Sequence, residues 1–169
     1  MTSEAPVPMR IAEMADAPRV ARLIAAFRDY YEEDEPSDEV IHRVVRRLIR
    51  GGEAEFLMAG EPACGVAQLR YRTSVWTGSL DCWLEDLFIE RDARGGGIGR
   101  RLVEACIERA RQQGCQRIQL DCNERNHNAL SLYEAVGFSS RTERWQGGRD
   151  LYLTRRLDDE PPAEQGGES

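Results

Sequence analysis

The feature of this sequence that most restricts its fold is a glycine-rich turn between an apolar strand and an amphipathic helix. Residues 87–102 read LFIERDARGGGIGRRL, with glycine at four of the five positions 95–99. Glycine lets the backbone turn tightly and point several N–H groups outward, and the dipole of the following helix adds positive potential. Arg94, Arg100 and Arg101 add positive charge, and residues 93–103 contain no acid. The segment therefore predicts a cradle for the pyrophosphate of an anionic cofactor.

The glycine spacing excludes two common nucleotide-binding motifs. In GxGxxG the last glycine would fall on Arg100 or Leu102, and GxxxxGK[ST] is absent. All 23 basic residues are arginine, so a P-loop lysine and a Schiff-base lysine are both excluded. His42 and His127 are the only histidines that could serve a catalytic triad or a histidine metal site. Neither lies in a sequence motif that supplies the other residues of such a site. A nucleotide-binding protein is therefore a weak alternative, and we predict no metal.

Hydrophobic periodicity predicts strands and helices in one α+β domain at residues 9–157. Helices are predicted to begin after Asp16, after Ser37, at Gly99 and after Asn126. Strands are predicted at 9–13, 56–59, 65–71, 80–89, 118–122, 138–144 and 150–157. They would form a mixed, mostly antiparallel central sheet flanked by helices. Residues 1–8 and 158–169 have little apolar content, so we predict a disordered N-terminus and a disordered acidic tail.

The formal charge of −7 is concentrated in two segments. Residues 29–39 carry seven acids and no base, and residues 158–169 carry five acids and no base. The remaining body is mildly basic, and its arginines form no stripe interleaved with aromatics, which argues against nucleic acid as a partner. No apolar run is long enough to span a bilayer, and the N-terminus does not resemble a signal peptide, so we expect a cytoplasmic protein and no membrane contact. The five cysteines form no CxxC pair and are predicted to be free thiols.

Two blocks of sequence resemble one known family. Residues 94–99, which follow an apolar strand, match the signature Q/R-x-x-G-x-G/A. Residues 123–138 read NERNHNALSLYEAVGF, which is similar to a second signature that consists of an Asn, then AxxLYE, then GF. Both signatures are typical of the GNAT (GCN5-related) N-acetyltransferase superfamily, and they occur here in the family's order and spacing. The resemblance implies a GNAT-type fold and acetyl-CoA as the acyl donor. It extends over residues 9–157 and is weakest in the first two helices.

The resemblance also implies roles for individual residues. The cofactor-binding residues would be Phe88 and Ile89 at the strand end, Arg94, Gly95, Gly96, Gly97, Ile98, Gly99 and Arg100 at the pyrophosphate, and Asn126. Tyr133 would be the general acid that protonates the departing CoA thiolate, a role that suits a phenol. Without the flanking motif, Tyr133 would be interpreted as a core aromatic residue.

Acyl transfer to an ammonium also needs a proton acceptor, and two adjacent acids interrupt the strand that precedes the turn. The string LEDLFI at 84–89 resembles the polyamine- and diamine-acetylating branch of the family, which implies Glu85 as the base and Asp86 as a substrate-binding residue. Strand alternation predicts that the two acids point to opposite faces. Asp121 is the alternative base, and a water chain also stays open.

The acidic segment between the first two helices is a candidate for the acceptor site. Tyr31, Glu32 and Glu33 are predicted substrate-binding residues that would attract a polyamine-like cation. A solvated acidic loop is the alternative interpretation.

The sequence thus predicts an enzyme that moves an acetyl group from acetyl-CoA to a primary amine of a small acceptor by direct attack in a ternary complex. Three alternatives stay open: a catalytically silent acyl-CoA sensor or interaction module, an enzyme for peptide N-termini, and an enzyme for aminoglycosides. The family includes many dimers, so a homodimer also stays open.

Overall fold

A five-stranded sheet with helices on both faces is the framework of the computed structural model, which describes residues 7–142 and 146–157. The strands lie in chain order: β1 (Met9–Ile11), β2 (Glu55–Gly60), β3 (Ala63–Ser74), β4 (Ser79–Ile89) and β5 (Arg117–Gln119). The first four pair antiparallel, and β5 pairs parallel to β4. This arrangement confirms the predicted α+β class with a mixed, mostly antiparallel sheet.

Four helices form close to the predicted positions, because local signals fix their ends. They are α1 (Ala17–Tyr30), α2 (Asp38–Gly51), α3 (Ile98–Gln112) and α4 (His127–Ala135). The Ser37 hydroxyl accepts a hydrogen bond from the Val40 amide, and the Asn126 side chain accepts one from Ala129. These contacts satisfy amide groups that a helix N-terminus leaves free. Gly52 ends α2 in the left-handed conformation, which glycine adopts without a steric penalty.

The sheet separates two apolar layers. Along β2, Phe56 and Met58 pack with α1 and α2, whereas Leu57 and Ala59 pack on the other side with α3. This alternation is the expected result of a strand buried on both faces.

The parallel pairing of β4 with β5 is short, and this opens the sheet beside β4. The two strands pair only from Asp81 to Trp83 on β4. Beyond that point the described residues give the second half of β4 no β5 partner, while its pairing with β3 continues to Ile89. The chain therefore leaves a gap between the end of β4 and the residues after β5.

The chain divides into two units, Met1–Phe138 and Ser139–Ser169. In the second unit, Arg141 forms an isolated antiparallel bridge with Arg149, and the Asp150 amide donates to the Ser140 carbonyl. The predicted strands at 138–144 and 150–157 are therefore wrong for the described residues. These residues form this single bridge and no extended β-ladder. The side chains of residues 150–157 are exposed, so they lack the buried face that stabilises a strand.

The predicted disordered ends fall mostly on residues 1–6 and 158–169, which lie outside the described part of the chain. Pro8 is described, and its carbonyl accepts a hydrogen bond from the Gly60 amide. Within the described residues, none of the helices is both long enough and apolar enough to cross a membrane.

Candidate active site

A cleft of about 730 Å³ lies in the gap beside the end of β4. It is lined by residues of four regions: the C-terminal end of α1, the second half of β4 with the glycine-rich turn, the residues after β5, and α4. Most of the residues predicted from sequence meet here: Tyr31, Glu85, Asp86, Phe88, Ile89, Arg94, Gly95, Gly97, Ile98, Gly99, Arg100, Asn126 and Tyr133 line the cleft. Gly96, Glu32 and Glu33 do not line it.

The glycine-rich turn is shaped by two left-handed residues. Gly95 has φ +90° and Gly97 has φ +74°, a region that costs a residue with a Cβ about 1–2 kcal/mol. Gly97 is the N-cap of α3, and the first hydrogen bond into the helix runs from the Arg101 amide to the Gly97 carbonyl. The amides that precede Arg101 in the first turn are therefore left without helical partners.

The geometry of this turn fits a pyrophosphate group. A Cβ built on Gly95, Gly96 or Gly97 would have no heavy atom within 4 Å, so the backbone faces open space there. Free amides and the positive end of the α3 dipole point toward the same place, and both favour an anion. The residues present thus suit the diphosphate of a CoA-type donor.

Arg94 packs on the aromatic wall of the cleft. Its Nε atom donates to the Ile89 carbonyl at 2.9 Å, and its guanidinium lies 4.5 Å from the centroid of the Tyr30 ring and 5.6 Å from that of Phe88. The sequence motif indicated only the pyrophosphate as a partner for Arg94. The contact with Tyr30 connects the glycine-rich turn to the end of α1, which sequence reasoning did not foresee because the two residues are far apart in the chain.

Tyr133 reaches the cleft from α4. Its ring packs edge-on against Phe138, with centroids 5.8 Å apart. Burial raises the pKa of Tyr133 well above the usual value for a phenol, and the nearby Cys122 thiol and Tyr31 phenol add to this rise. The phenol therefore stays protonated at neutral pH, as a proton donor must.

A β-bulge determines where the two adjacent acids lie. Leu84 pairs with Leu69 and Asp86 pairs with Gln68, so Glu85 is an extra residue in β4. The bulge shifts the alternation of the strand: Leu84 and Leu87 both belong to the apolar layer on the α3 side. Glu85 and Asp86 therefore fall together on the α1 side, and both line the cleft. The prediction that they point to opposite faces is wrong, because it assumed an uninterrupted period of two.

The two acids differ in their surroundings. Glu85 is exposed, its Oε2 atom lies 2.8 Å from Arg70 Nε, and it accepts a hydrogen bond from the Gln68 side chain. Asp86 is half-buried, and burial raises its pKa to about 6, helped by the negative charges of Glu85 and Asp121 and opposed by Arg70. Asp121, the alternative base, also lines the cleft.

The side of the cleft formed by α1 is aromatic. Phe27, Tyr30 and Tyr31 line it from α1, and the rings of Phe27 and Tyr31 lie 5.3 Å apart. The acidic segment that follows is partly neutralised, because Arg28 forms ion pairs with Asp29 at 2.6 Å and Asp38 at 2.8 Å.

Comparisons with known proteins identify the family. The model of the acetyltransferase (GNAT) family matches residues 18–138. A thialysine N-epsilon-acetyltransferase from Bos taurus is 32% identical over 151 residues, which cover 81% of this chain and 86% of that protein. A spermine/spermidine N(1)-acetyltransferase from Bacillus subtilis is 36% identical over 62 residues, 36% of this chain and 41% of that one.

Solved structures agree with the sequence comparisons. The crystal structure of a protein from Arthrobacter sp. FB24, assigned as an acetyltransferase, has a TM-score of 0.83 and 27% identity, and it covers 93% of this chain and 100% of its own. An aminoglycoside acetyltransferase from an uncultured soil sample has the same fold, with a TM-score of 0.71 at 15% identity over 89% of this chain and 97% of its own. The chain that folds around this cleft belongs to the GNAT family and is an N-acetyltransferase.

Proposed function

We propose that this protein transfers the acetyl group of acetyl-CoA to a primary amine of a small cationic acceptor, by direct attack within a ternary complex. The observation that carries the proposal is that one cleft contains both a turn suited to a diphosphate and a cluster of carboxylates and aromatic rings suited to an ammonium group. A donor bound along the turn and an acceptor bound at the other end could react without a covalent enzyme intermediate.

The donor end is built to hold an anion. The amides of the turn 95–100 and the α3 dipole would bind the diphosphate, while Phe88 and Ile89 would offer backbone groups to the pantetheine arm. Acetyl-CoA supplies the activated acetyl group when bound. Asn126 lines the same end, and its side-chain oxygen already accepts from the Ala129 amide at 3.2 Å, so its amide nitrogen is the atom available to a ligand.

The acceptor end favours a cation. Glu85, Asp86 and Asp121 line the cleft together with Tyr31. Carboxylates attract an ammonium by charge, and the faces of aromatic rings attract it through their quadrupole. The relatives named for thialysine and for spermine/spermidine support acceptors of this kind, since such compounds carry a primary amine on a flexible aliphatic chain.

Tyr133 would protonate the leaving thiolate. Its phenol stays protonated because burial raises its pKa, and it lines the same cleft as the turn and the carboxylates. A carboxylate of β4 would remove the proton of the acceptor ammonium.

The test is release of CoA thiol from acetyl-CoA in a panel of amines. Polyamines, diamines, thialysine and lysine form the first group, and aminoglycosides and peptide N-termini form the second. We expect turnover with the first group above the hydrolysis measured without acceptor. Acetyl-CoA binding by calorimetry without turnover on any amine would instead favour the silent acyl-CoA-binding module.

A further inference from the structure

We propose that Asp86, rather than Glu85, accepts the proton of the acceptor ammonium, and that Glu85 is a positioning residue held by Arg70 and Gln68. This inference rests on the proposed acetyl transfer to an amine. It changes the roles that the sequence resemblance implies for these two adjacent carboxylates.

The first step of the argument is access. The bulge places both acids on the α1 side of the sheet, so either could reach an acceptor in the cleft. Without the bulge, one of them would face the apolar layer under α3. Access therefore does not choose between the two, and the choice depends on their partners.

The second step is that the Glu85 carboxylate already contacts two protein side chains. One of its oxygens, Oε2, lies 2.8 Å from Arg70 Nε and also accepts the hydrogen bond from the Gln68 amide. This oxygen therefore already has two protein partners and is not free to receive a proton from an acceptor ammonium. The Glu85 side chain is also 41% exposed, so water reaches it as well.

The third step is that Asp86 has the opposite environment. It is half-buried, and the described residues offer its side chain neither a hydrogen-bond donor nor an ion-pair partner. The charged groups that act on it are Glu85 beside it, Asp121 beyond β5 and Arg70 on β3. Tyr31 of α1 and Tyr133 of α4 are the titratable side chains that face the same cleft from the helices.

The consequence is a carboxylate whose pKa of about 6 is close to neutral pH. At pH 7 it is mostly ionised and can accept a proton, and it holds the proton better than an ordinary aspartate would. General-base catalysis is most effective under these conditions. An incoming ammonium also gains more from a charge in a partly desolvated site than from one in water.

The proton balance is as follows. Asp86 takes one proton from the ammonium, and the freed nitrogen lone pair attacks the thioester carbon, so a C–N bond forms. The C–S bond then breaks, and the thiolate takes the proton of the Tyr133 phenol. The nitrogen, still carrying one proton too many, returns it to the tyrosinate directly or through water. Asp86 finally releases its proton to solvent, which leaves the amide, the free thiol and one proton.

The experiment compares Asp86→Asn with Glu85→Gln, two isosteric changes at neighbouring positions. The readout is the pH profile of kcat/KM for the best acceptor found in the screen. The wild type should lose activity as the pH falls through about 6. We expect Asp86→Asn to lower kcat/KM by about 10²- to 10⁴-fold and to abolish this acidic limb. Glu85→Gln should keep the limb but move it to lower pH, because a negative neighbour of Asp86 is removed.

Two further measurements separate a proton acceptor from a merely structural residue. Asp86→Glu, which restores a carboxylate, should recover part of the rate and an acidic limb. A weakly basic amine analogue that is already unprotonated at pH 7 should react with Asp86→Asn nearly as fast as with the wild type. Calorimetric binding of acetyl-CoA reports whether each variant is folded.

The outcomes distinguish this inference from the proposed function. If the wild type acetylates amines and Asp86→Asn keeps both rate and acidic limb, while Glu85→Gln loses them, Asp86 is not the acceptor of the proton and Glu85 is. If the wild type acetylates no amine, the proposed function itself fails and the inference fails with it.

Discussion

The two ends of the cleft are built from different materials. The proposed donor end is made mainly of backbone, since Gly95 and Gly97 adopt left-handed conformations that leave amides of the turn facing open space. The proposed acceptor end is made of side chains: three carboxylates and a set of aromatic rings that come from separate elements. A site made of backbone amides changes little when a single residue is substituted, so it suits the part of a ligand that stays constant. A site made of side chains can be altered by one substitution at a time. This difference suggests why one donor can be combined with many acceptors in a family with one fold.

The largest effect is expected at Tyr133. Tyr133→Phe keeps the ring packed against Phe138 and removes only the phenolic proton. We expect kcat to fall by about 10²- to 10⁴-fold, while acetyl-CoA affinity changes little. Steady-state kinetics and calorimetry measure the two quantities.

A matched control for this change is Tyr71→Phe, because Tyr71 is also partly buried, its phenol donates to Glu55, and it does not line the cleft. Since burial raises the pKa of Tyr133, the phenol should contribute no alkaline limb to the rate profile in the physiological range. Wild-type turnover in Tyr133→Phe would assign Tyr133 to the core rather than to catalysis.

An intermediate effect is expected at the donor end, where neighbouring glycines provide the control. Gly97 has φ +74°, whereas Gly96 lies outside the left-handed region, and a Cβ at either would meet no atom within 4 Å. Gly97→Ala should therefore cost about 1–2 kcal/mol, which corresponds to about 5- to 30-fold in an equilibrium constant, and Gly96→Ala should cost far less.

The cost at Gly97 can fall on stability, if the turn keeps its shape, or on acetyl-CoA affinity, if it relaxes. Thermal unfolding and calorimetry should therefore be measured on both variants. Gly97→Glu adds a negative charge beside the diphosphate and should weaken binding further. Equal stability and equal affinity in Gly97→Ala and Gly96→Ala would contradict a donor site made by backbone conformation.

The smallest effect is expected in the acidic segment. Glu32, Glu33 and Asp34 are exposed, and none of them lines the cleft, so they can act on an acceptor only through long-range attraction. Changing them together to Gln, Gln and Asn should raise the KM for a polycationic amine about two- to fivefold and flatten its salt dependence. The KM for acetyl-CoA should stay unchanged.

The control for this triple variant is a second one with the same loss of charge, Glu53→Gln with Glu61→Gln and Glu108→Gln. These acids are also exposed and lie outside the cleft. If both triple variants raise the KM for the polycationic amine equally, only the net charge of the protein matters. The acidic segment is then a solvated loop.

The sequence predicted the glycine-rich turn and the starts of α3 and α4 because the signals for them are local. A run of glycines, an N-cap at Asn126 and the stripe of apolar residues in α3 each depend on residues a few positions apart. The bulge at Glu85 depends on how β3 and β4 pair, and no residue type in the string LEDLFI indicates it. Likewise, the contacts of Glu85 with Arg70 and of Arg94 with Tyr30 join residues that only the fold brings together.

The bulge in β4 also has an evolutionary consequence. Deleting either Glu85 or Asp86 would restore simple alternation and still leave Leu84 and Leu87 on the α3 side, as they are now. A change of one codon could therefore add or remove an acid at the acceptor end without moving any core side chain to the wrong layer. Such a position lets selection alter which amine is accepted while the packing that stabilises the enzyme stays as it is.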